Sequence, residues 1–364
     1  MEVNFLSDES VVLINPRMPQ NEKNHALTLL TKFSFLKGHI WIATSGSTTQ
    51  KWVALSKNAI LASAAAVNEH LSANAKDCWI NPLHTFHVGG LGIMARAYLS
   101  SASVINCTVW EPEQYHRSII DSHATLSALV PTQLYDLVMR RLQAPPSIRA
   151  VVVGGGSLPT TVHTQALALG WPVLVSYGLT ECSSQVATVP LEYSNGFSKN
   201  LMVLSHVAID CHKNCIRIKS DALLTGYAIE KEGNWNFIDP KVEGWFQTED
   251  RGEIVGGYLQ VHGRGSHFIK IGGESVDLLR LENILIEAKL AVKYEGDAAI
   301  IEKADERLGY VINLVATNQE TDNLVSYFHE RVYPFERIRG VHLVSEIPRT
   351  PTGKLIKPAI PSFQ

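Results

Sequence analysis

Apolar and polar positions alternate in two different ways along the first half of the chain. Short β-branched runs, such as residues 41–43, 104–105 and 150–153, are separated by longer stretches with helical periodicity at 58–71 and 133–142. Strands that alternate with helices in this way form largely parallel sheets covered by helices. The pattern therefore predicts an α/β domain from about residue 40 to residue 175.

The pattern changes after Leu201. Strand-like runs are now separated by turns that contain Gly226, Gly233, Gly244 and Gly252, which indicates an antiparallel β subdomain. Beyond residue 264 the periodicity predicts helices at 278–290 and 321–331 and strands at 298–301, 310–312 and 341–343. A chain of 364 residues is longer than one hydrophobic core usually accommodates. We therefore expect a large N-terminal domain over residues 1–264 and a small, mobile α+β C-terminal domain over residues 265–364.

Composition narrows the class of protein. Hydrophobic residues make up 45% of the chain and charged residues 18%, and the net charge of -3 lacks the basic excess of a nucleic-acid-binding protein. The chain does not start with a basic region followed by an apolar core, and no apolar run approaches the roughly 20 residues of a membrane span. We therefore expect a cytoplasmic protein whose partners are small molecules.

The five cysteines are odd in number and scattered, which favours reduced thiols in a reducing compartment. Cys211 and Cys215 are close enough in sequence to suggest a zinc site, but no second ligand pair follows at a suitable spacing. The alternative is a hairpin turn between strands at 207–209 and 216–218.

Two segments at opposite ends of the chain suggest phosphate binding. Residues 44–51 (TSGSTTQK) follow a strand and offer hydroxyls, a glycine and a lysine, which suit phosphate oxygens. They do not form a Walker A loop, because Gln50 and Trp52 replace the required glycine and hydroxyl residue. A polar strand-to-helix turn is the alternative. Lys354, in residues 348–354 (PRTPTGK), would be the second basic phosphate ligand.

Three internal segments add candidate ligands for a nucleotide. Residues 177–181 (YGLTE) end an apolar strand, where open α/β sheets bind ligands, and Glu181 there can hold Mg²⁺. The glycines of residues 154–159 (GGGSLP) allow close approach of a flat ligand. Asp250 and Arg264 offer a carboxylate and a guanidinium that can grip ribose hydroxyls. Taken singly, Glu181 can be a solvated turn residue, and Asp250 with Arg251 can form an ordinary surface turn.

The order of these segments resembles that of the adenylate-forming superfamily, which contains acyl-CoA and aryl-CoA synthetases, luciferases and adenylation domains. The resemblance extends from about Trp41 to Lys354 and includes residues 44–51, the region of His87, and residues 154–159, 177–181, 244–250, 262–274 and 348–354. It implies an ATP-dependent, AMP-forming acid-thiol ligase that uses Mg²⁺ and coenzyme A. Its fold would be the adenylate-forming enzyme fold with a shortened N-terminal part.

The resemblance also implies a role for each matching residue. The γ- and β-phosphates of ATP would be held by Thr44, Ser45, Gly46, Ser47, Thr48 and Lys51. Adenine would lie between Gly155, Gly156 and Tyr177, the α-phosphate would contact Thr180, Mg²⁺ would bind Glu181, and ribose would bind Asp250 and Arg264. Lys354 would be the adenylation lysine, Ser266 the hinge, and Gly272 and Gly273 the coenzyme A path.

The chain also departs from the family pattern. Thr49 and Gln50 replace the later glycine and proline of the phosphate loop, which puts the γ-phosphate contact in question. Glu249 stands where the family has glycine, and only about forty residues precede the phosphate loop. We therefore expect part of the N-terminal subdomain to be missing, which would either enlarge the acyl pocket or leave a surface for a second subunit in a homodimer.

The acid substrate is suggested by residues 82–96. His87 would border the acyl pocket together with Gly178, and Arg96, nine residues further on, suggests a substrate with a second carboxylate. Alternatively, Arg96 extends to the surface. The pattern most resembles the 2-succinylbenzoate-CoA ligases of menaquinone biosynthesis. The other hypotheses are a different aryl- or fatty-acyl-CoA ligase, an enzyme that loads a carrier protein, and a non-catalytic nucleotide-binding protein.

Overall fold

The computed structural model describes residues 3–44, 51–198, 200–212, 214–231, 233–264, 268–271, 274–305, 308–350, 353 and 355–356. The chain divides into two compact units: Met1–Gly155 with Ala166–Val261, and Gly156–Gln165 with His262–Gln364. The predicted assignment of nucleotide binding to residues 1–264 and of the catalytic lysine to residues 265–364 stays a prediction. Among the described residues, no helix combines the length and hydropathy needed to cross a bilayer.

The elements up to residue 179 are, in chain order, β1 (Val11–Leu13), α1 (Gln20–Lys32), β2 (His39–Ala43), β3 (Lys51–Ser56), α2 (Lys57–Leu71), β4 (Cys78–Asn81), α3 (Val88–Ser100), β5 (Ser103–Asn106), α4 (Pro112–Ser122), β6 (Leu126–Leu129), α5 (Pro131–Met139), β7 (Ala150–Val153), α6 (Thr160–Ala168) and β8 (Val173–Leu179). The later elements are β9 (Ser184–Thr188), β10 (Leu201–Val203), β11 (Val207–His212), β12 (Cys215–Ser220), β13 (Gly226–Lys231), β14 (Asn234–Ile238), β15 (Phe246–Val255), β16 (Tyr258–Arg264), β17 (Phe268–Ile271), β18 (Glu274–Asp277), α7 (Leu278–Val292), β19 (Ala298–Asp305), β20 (Gly309–Ala316), α8 (Asp322–His329) and β21 (Ile338–Leu343).

The predicted parallel sheet is present. Strands β5, β4, β6, β7 and β8 lie side by side in that order, and each adjacent pair is parallel. Every residue of β6 and β7 is buried, which explains why β7 is a continuous apolar run in the sequence. The α/β class predicted from the sequence is confirmed.

The antiparallel strands do not form a sheet of their own. Strands β9, β10, β16, β15, β12 and β11 continue the parallel sheet beyond β8, so that eleven strands form one mixed sheet. Strands β13 and β14 instead join β1, β2 and β3 in a second sheet of five strands, where β13 pairs with β3. The predicted hairpin at 207–218 is confirmed, because Ile209 pairs with Ile218.

The second unit contains a sheet in the order β18, β17, β20, β19, with β21 parallel to β20. Helices α7 and α8 bury Leu281, Leu285 and Phe328 with Leu314 of β20 in one core. The Asp277 carboxylate accepts hydrogen bonds from the first backbone N–H groups of α7, which fixes where this helix begins. The α+β character predicted for the last hundred residues is confirmed.

Candidate functional site

The predicted phosphate loop connects two antiparallel strands. Strands β2 and β3 pair from His39 opposite Ser56 to Ala43 opposite Trp52. At the end of this hairpin the Thr44 N–H donates to the Lys51 carbonyl at 2.9 Å. The alternative of a strand-to-helix turn is therefore wrong. The predicted ligands Ser45, Gly46, Ser47 and Thr48 lie outside the described residues, as does Gln50.

Lys51 and Glu181 are linked through Tyr227, a residue that sequence analysis missed. Tyr227 lies on β13, which is hydrogen-bonded to β3, and the Lys51 Nζ atom lies 5.6 Å from the centroid of its ring. The Tyr227 hydroxyl donates to Glu181 Oε1 at 2.8 Å. Tyr227 thus connects a lysine of the phosphate loop to the predicted magnesium ligand. No local signal marks Tyr227, because about 170 residues separate β13 from β3.

Glu181 belongs to a single 3₁₀ turn, Thr180–Cys182, that directly follows β8. Its carbonyl accepts a hydrogen bond from the Leu224 N–H at 2.8 Å, and the turn ends at Ser183 with φ 57°. The buried Ser183 hydroxyl donates to the Ala222 carbonyl at 2.8 Å. These contacts hold the backbone of Thr180 and Glu181 against the segment that leads into β13.

Tyr177 and Asp250, the residues predicted to contact adenine and ribose, are hydrogen-bonded to each other. The Tyr177 hydroxyl donates to Asp250 Oδ2 at 2.8 Å. Tyr177 lies on β8 and Asp250 on β15, and β9, β10 and β16 lie between these strands in the sheet. Four strand spacings of roughly 4.8 Å exceed the combined reach of the two side chains, so the sheet must curve here. Curvature therefore brings together two residues that are far apart in strand order.

A second missed residue, Thr248, fixes the position of Asp250. The Asp250 N–H donates to Thr248 Oγ1 at 3.1 Å, and the Thr248 hydroxyl donates to the Ile216 carbonyl at 2.9 Å. Thr248 and Asp250 are both buried, with 6% and 7% of their surface exposed. The alternative in which Asp250 is part of an ordinary surface turn is wrong, because it is a buried strand residue.

Two of the predicted glycines meet a backbone requirement. Gly155 follows β7 with φ +81°, a conformation that other L-residues rarely adopt. Gly178 lies at a register shift between β8 and β9, where a Cβ atom would come well under 3.0 Å from the Ser184 carbonyl oxygen. Close packing of β8 on β9 therefore accounts for glycine at position 178, whether or not it also contacts a substrate.

His87 is the residue that precedes α3 and has an extended backbone, with φ -117° and ψ 145°. Its carbonyl accepts the first helical hydrogen bond from Leu91, and its ring lies 4.6 Å from the Phe86 ring between centroids. The Phe86 ring stacks in turn on His84. Burial, with a smaller effect of Arg17, lowers the pKa of His84. An aromatic cluster therefore precedes the helix that carries Arg96.

Arg96 is buried in the first unit, with 2% of its surface exposed. Its Nη2 atom donates to Ser184 Oγ at 3.1 Å, and its Cζ atom lies 5.6 Å from the centroid of the Trp79 ring. Within the described residues no carboxylate pairs with it, and its Nε atom has no hydrogen-bond partner. Burial lowers the pKa of Arg96 to about 9, so the guanidinium stays charged at neutral pH. The alternative in which Arg96 extends to the surface is wrong.

Five further predicted site residues fall in the range His262–Gln364. Lys354, Ser266, Gly272 and Gly273 lie outside the described residues, and only the backbone of Arg264, at the end of β16, is described. Gly156 is described and follows Gly155 directly. The predicted roles of all the site residues stay predictions.

Glu181 fits a Mg²⁺ ion that also binds phosphate oxygens. Mg²⁺ in nucleotide sites usually takes one or two carboxylates and completes its shell with water and phosphate. Across the described ranges, no group of three or more His, Cys, Asp or Glu side chains could hold a metal by itself, which also gives no support to zinc at Cys211 and Cys215. A single carboxylate that accepts a hydrogen bond from Tyr227 suits a metal that arrives with ATP.

Much of the chain is similar to proteins of known function. Residues 40–203 match the model of the AMP-binding enzyme family. The chain is 26% identical over 356 residues to a 2-succinylbenzoate-CoA ligase of Bacillus cytotoxicus, covering 93% of this chain and 73% of that protein.

Two solved structures of o-succinylbenzoate CoA synthetase from Bacillus subtilis have the same fold. The complex with its acyl-adenylate intermediate has a TM-score of 0.74 at 23% identity, covering 89% of this chain and 69% of that one. The complex with ATP and magnesium has a TM-score of 0.73 at 23% identity, covering 88% and 69%. The resemblance inferred from the sequence motifs is confirmed: the chain is similar to AMP-binding enzymes over residues 40–203 and to a 2-succinylbenzoate-CoA ligase over most of its length.

Proposed function

We propose that this chain is an ATP-dependent acid-CoA ligase that converts 2-succinylbenzoate to 2-succinylbenzoyl-CoA in menaquinone biosynthesis. The observation that carries the proposal is the contact network in the first unit, where Tyr227 joins Lys51 to Glu181. The Tyr177–Asp250 hydrogen bond supports it independently, since two residues from separate motifs meet. The names of the relatives supply the substrate class.

The first half-reaction forms an acyl-adenylate. A substrate carboxylate oxygen attacks the α-phosphorus of ATP, an oxygen–phosphorus bond forms, and the bond to the departing pyrophosphate breaks. Negative charge gathers on the phosphoryl oxygens, so positioned cations and hydrogen-bond donors lower the barrier. In the proposal, Thr44 to Thr48 and Lys51 bind the β- and γ-phosphates, Thr180 the α-phosphate, and Lys354 the attacking and α-phosphate oxygens. Mg²⁺ on Glu181 would neutralise phosphate charge.

The second half-reaction forms the thioester. The sulfur of coenzyme A attacks the acyl carbon, its proton passes to solvent, and AMP leaves with the electrons of the broken carbon–oxygen bond. Lys354 is not needed in this step, whereas a path for the pantetheine arm is. We assign that path to Gly272 and Gly273, with a rotation about Ser266 between the two half-reactions.

Arg96 supports a diacid substrate. A guanidinium that is buried without a carboxylate lacks a counter-charge, and a substrate carboxylate would provide one. In 2-succinylbenzoate the succinyl carboxylate would react with ATP while the ring carboxylate would pair with Arg96. His87 and the adjacent Phe86 would border the aromatic part of the substrate.

The test is ATP–pyrophosphate exchange over a panel of carboxylic acids, followed by addition of coenzyme A or of a carrier protein. We expect exchange to be fastest with 2-succinylbenzoate and thioester to form with coenzyme A. Faster exchange with another acid would indicate a different acyl- or aryl-CoA ligase, and transfer only to the carrier would indicate a loading enzyme. Nucleotide binding without exchange for any acid would indicate a non-catalytic protein.

Location and assembly belong to the same proposal. A cytoplasmic location is supported by the substrates, ATP and coenzyme A, and by five cysteines that form no disulfide. A homodimer is the proposed assembly. Sedimentation analysis of the purified chain tests the homodimer directly.

A further inference from the structure

An ion pair in the second unit lies next to the segment that carries Lys354. Arg349 grips Asp297 with both arms of its guanidinium, since Nε donates to Oδ2 at 2.6 Å and Nη2 donates to Oδ1 at 2.9 Å. Asp297 immediately precedes β19, and its Oδ1 also accepts from the Ala298 N–H at 2.8 Å. Such a two-pronged contact fixes both distance and orientation, which a single ammonium contact cannot do.

The environment favours the ionised form of Asp297. Burial alone would raise the pKa of Asp297, but hydrogen bonds and charge from Arg349, with the nearby Lys289, outweigh it, and the net pKa is lowered. Lys289 Nζ lies 3.5 Å from Asp297 Oδ1. About a third of each side chain of the Arg349–Asp297 pair is exposed, so the ion pair is partly buried and water still contacts part of it.

The same guanidinium also holds the residue before Lys354. Arg349 Nη1 donates to the Gly353 carbonyl at 3.0 Å, while Nη2 reaches the Ala298 carbonyl at 3.3 Å. One side chain therefore connects the start of β19 to Gly353. Gly353 has φ +79°, a backbone conformation that glycine adopts without strain.

Backbone contacts hold the residues on both sides of Lys354. The Gly353 N–H donates to the Thr350 carbonyl at 2.8 Å, and the Ile356 N–H donates to the Pro348 carbonyl at 2.9 Å. Arg349 and Leu355 form an antiparallel bridge. Leu355 also packs against a small core of Ala299, Val315 and Ile347. These described neighbours of Lys354 are therefore anchored to the second unit.

We propose that Arg349 is a positioning residue for adenylate formation: its fork on Asp297 and its contact with Gly353 set where Lys354 is presented to the α-phosphate. The inference rests on the role of Lys354 in the proposed function. Because Lys354 acts in the first half-reaction only, a positioning defect has a signature that a loss of stability lacks. It slows adenylate formation and spares thioester formation.

The test compares Arg349→Lys with Arg280→Lys in the full chain. Arg280 forms an ion pair with Glu336 in the same unit and makes no contact with the Lys354 segment among the described residues, so it is a matched control. Both substitutions keep the charge and remove the planar fork. Each variant is assayed for pyrophosphate exchange and, separately, for thioester formation from supplied acyl-adenylate, and hydrogen exchange is followed at the Gly353 and Ile356 amides.

We expect Arg349→Lys to slow adenylate formation by about tenfold or more, since small misplacement of a catalytic group has effects of this size. Thioester formation should stay within about twofold, the two amides should exchange faster, and Arg280→Lys should change neither half-reaction. Unchanged amide exchange, unchanged adenylate formation or an equal loss in both half-reactions would overturn the proposal. The variant Lys354→Ala separates the two claims: intact adenylate formation in that variant would remove the role of Lys354 on which the positioning proposal rests, whereas no adenylate formation by the unaltered chain would contradict the proposed function.

Discussion

Replacing Arg96 with methionine should stabilise the protein and at the same time remove its preference for a diacid. Methionine has a similar length and no charge, so it can fill the space between Trp79 and Ser184 without a buried cation. The fall of the Arg96 pKa from 12.5 to about 9 corresponds to a burial cost of about 5 kcal/mol, at 1.36 kcal/mol per tenfold.

Two contacts offset part of that cost. The charged hydrogen bond to Ser184 contributes about 1.5 kcal/mol, and the contact with the Trp79 ring contributes about 1–2 kcal/mol. We therefore expect Arg96→Met to raise the free energy of unfolding by about 2 kcal/mol, within the range found when buried charges are replaced by apolar groups. Chemical denaturation followed by tryptophan fluorescence measures this change. Arg117→Met, at an exposed position, is the control and should change it by less than about 0.5 kcal/mol.

The same substitution that stabilises the fold should weaken catalysis with the diacid. Loss of a buried cation that pairs with a substrate carboxylate costs about 3 kcal/mol or more, which is roughly a 100-fold fall in kcat/KM for 2-succinylbenzoate. 4-Oxo-4-phenylbutanoate lacks only the ring carboxylate and should lose less than about threefold. Destabilisation by Arg96→Met would contradict the burial cost given above, and an equal fall in kcat/KM for both acids would show that Arg96 is not the partner of the second carboxylate.

Three further predictions follow from single contacts. Tyr227→Phe removes the hydrogen bond to Glu181 and leaves the ring beside Lys51, so the Mg²⁺ concentration for half-maximal pyrophosphate exchange should rise by about tenfold. The control Tyr193→Phe should leave that concentration unchanged. An unchanged Mg²⁺ dependence in Tyr227→Phe would contradict the link between Tyr227 and the metal. Gly178→Ala should lower the free energy of unfolding by about 2–3 kcal/mol because its Cβ meets the Ser184 backbone, whereas Gly196→Ala, with only a 3.8 Å contact, should be nearly neutral in thermal denaturation. Burial lowers the pKa of His206 to about 4, so as the pH drops from about 6.5 toward 4 the unfolded chain binds the extra proton first and the free energy of unfolding falls. The substitution His206→Phe should reduce that fall by about 1–2 kcal/mol. An unchanged dependence of stability on pH would show that the ring is not buried as a neutral group.

The sequence predicts the α/β class because buried parallel strands such as β7 are continuous apolar runs of β-branched residues. It also predicts α7 to within two residues, since Asp277 caps one end and the apolar periodicity lasts to Leu290. It could not predict that β13 pairs with β3, because strand pairing over such a separation is decided by packing of the whole sheet and not by local pattern.

The same distinction applies to the candidate site. Glu181 and Asp250 are marked in the sequence by their motifs, whereas Tyr227 and Thr248, which hold them, are ordinary strand residues whose role depends on pairing and curvature. The burial of Arg96 is equally hidden, since an arginine on an apolar helix can either extend to solvent or stay inside. Only the packing of α3 against β9 places its guanidinium beside Ser184.

Direct identification of the products tests the central claim most directly. The chain is mixed with 2-succinylbenzoate, ATP and Mg²⁺ in a single turnover without coenzyme A, and the products are identified by mass spectrometry. We expect succinylbenzoyl-adenylate and one equivalent of pyrophosphate, followed by the CoA thioester and AMP once coenzyme A is added. Release of ADP and phosphate, or the absence of any adenylate from this acid, would contradict the account.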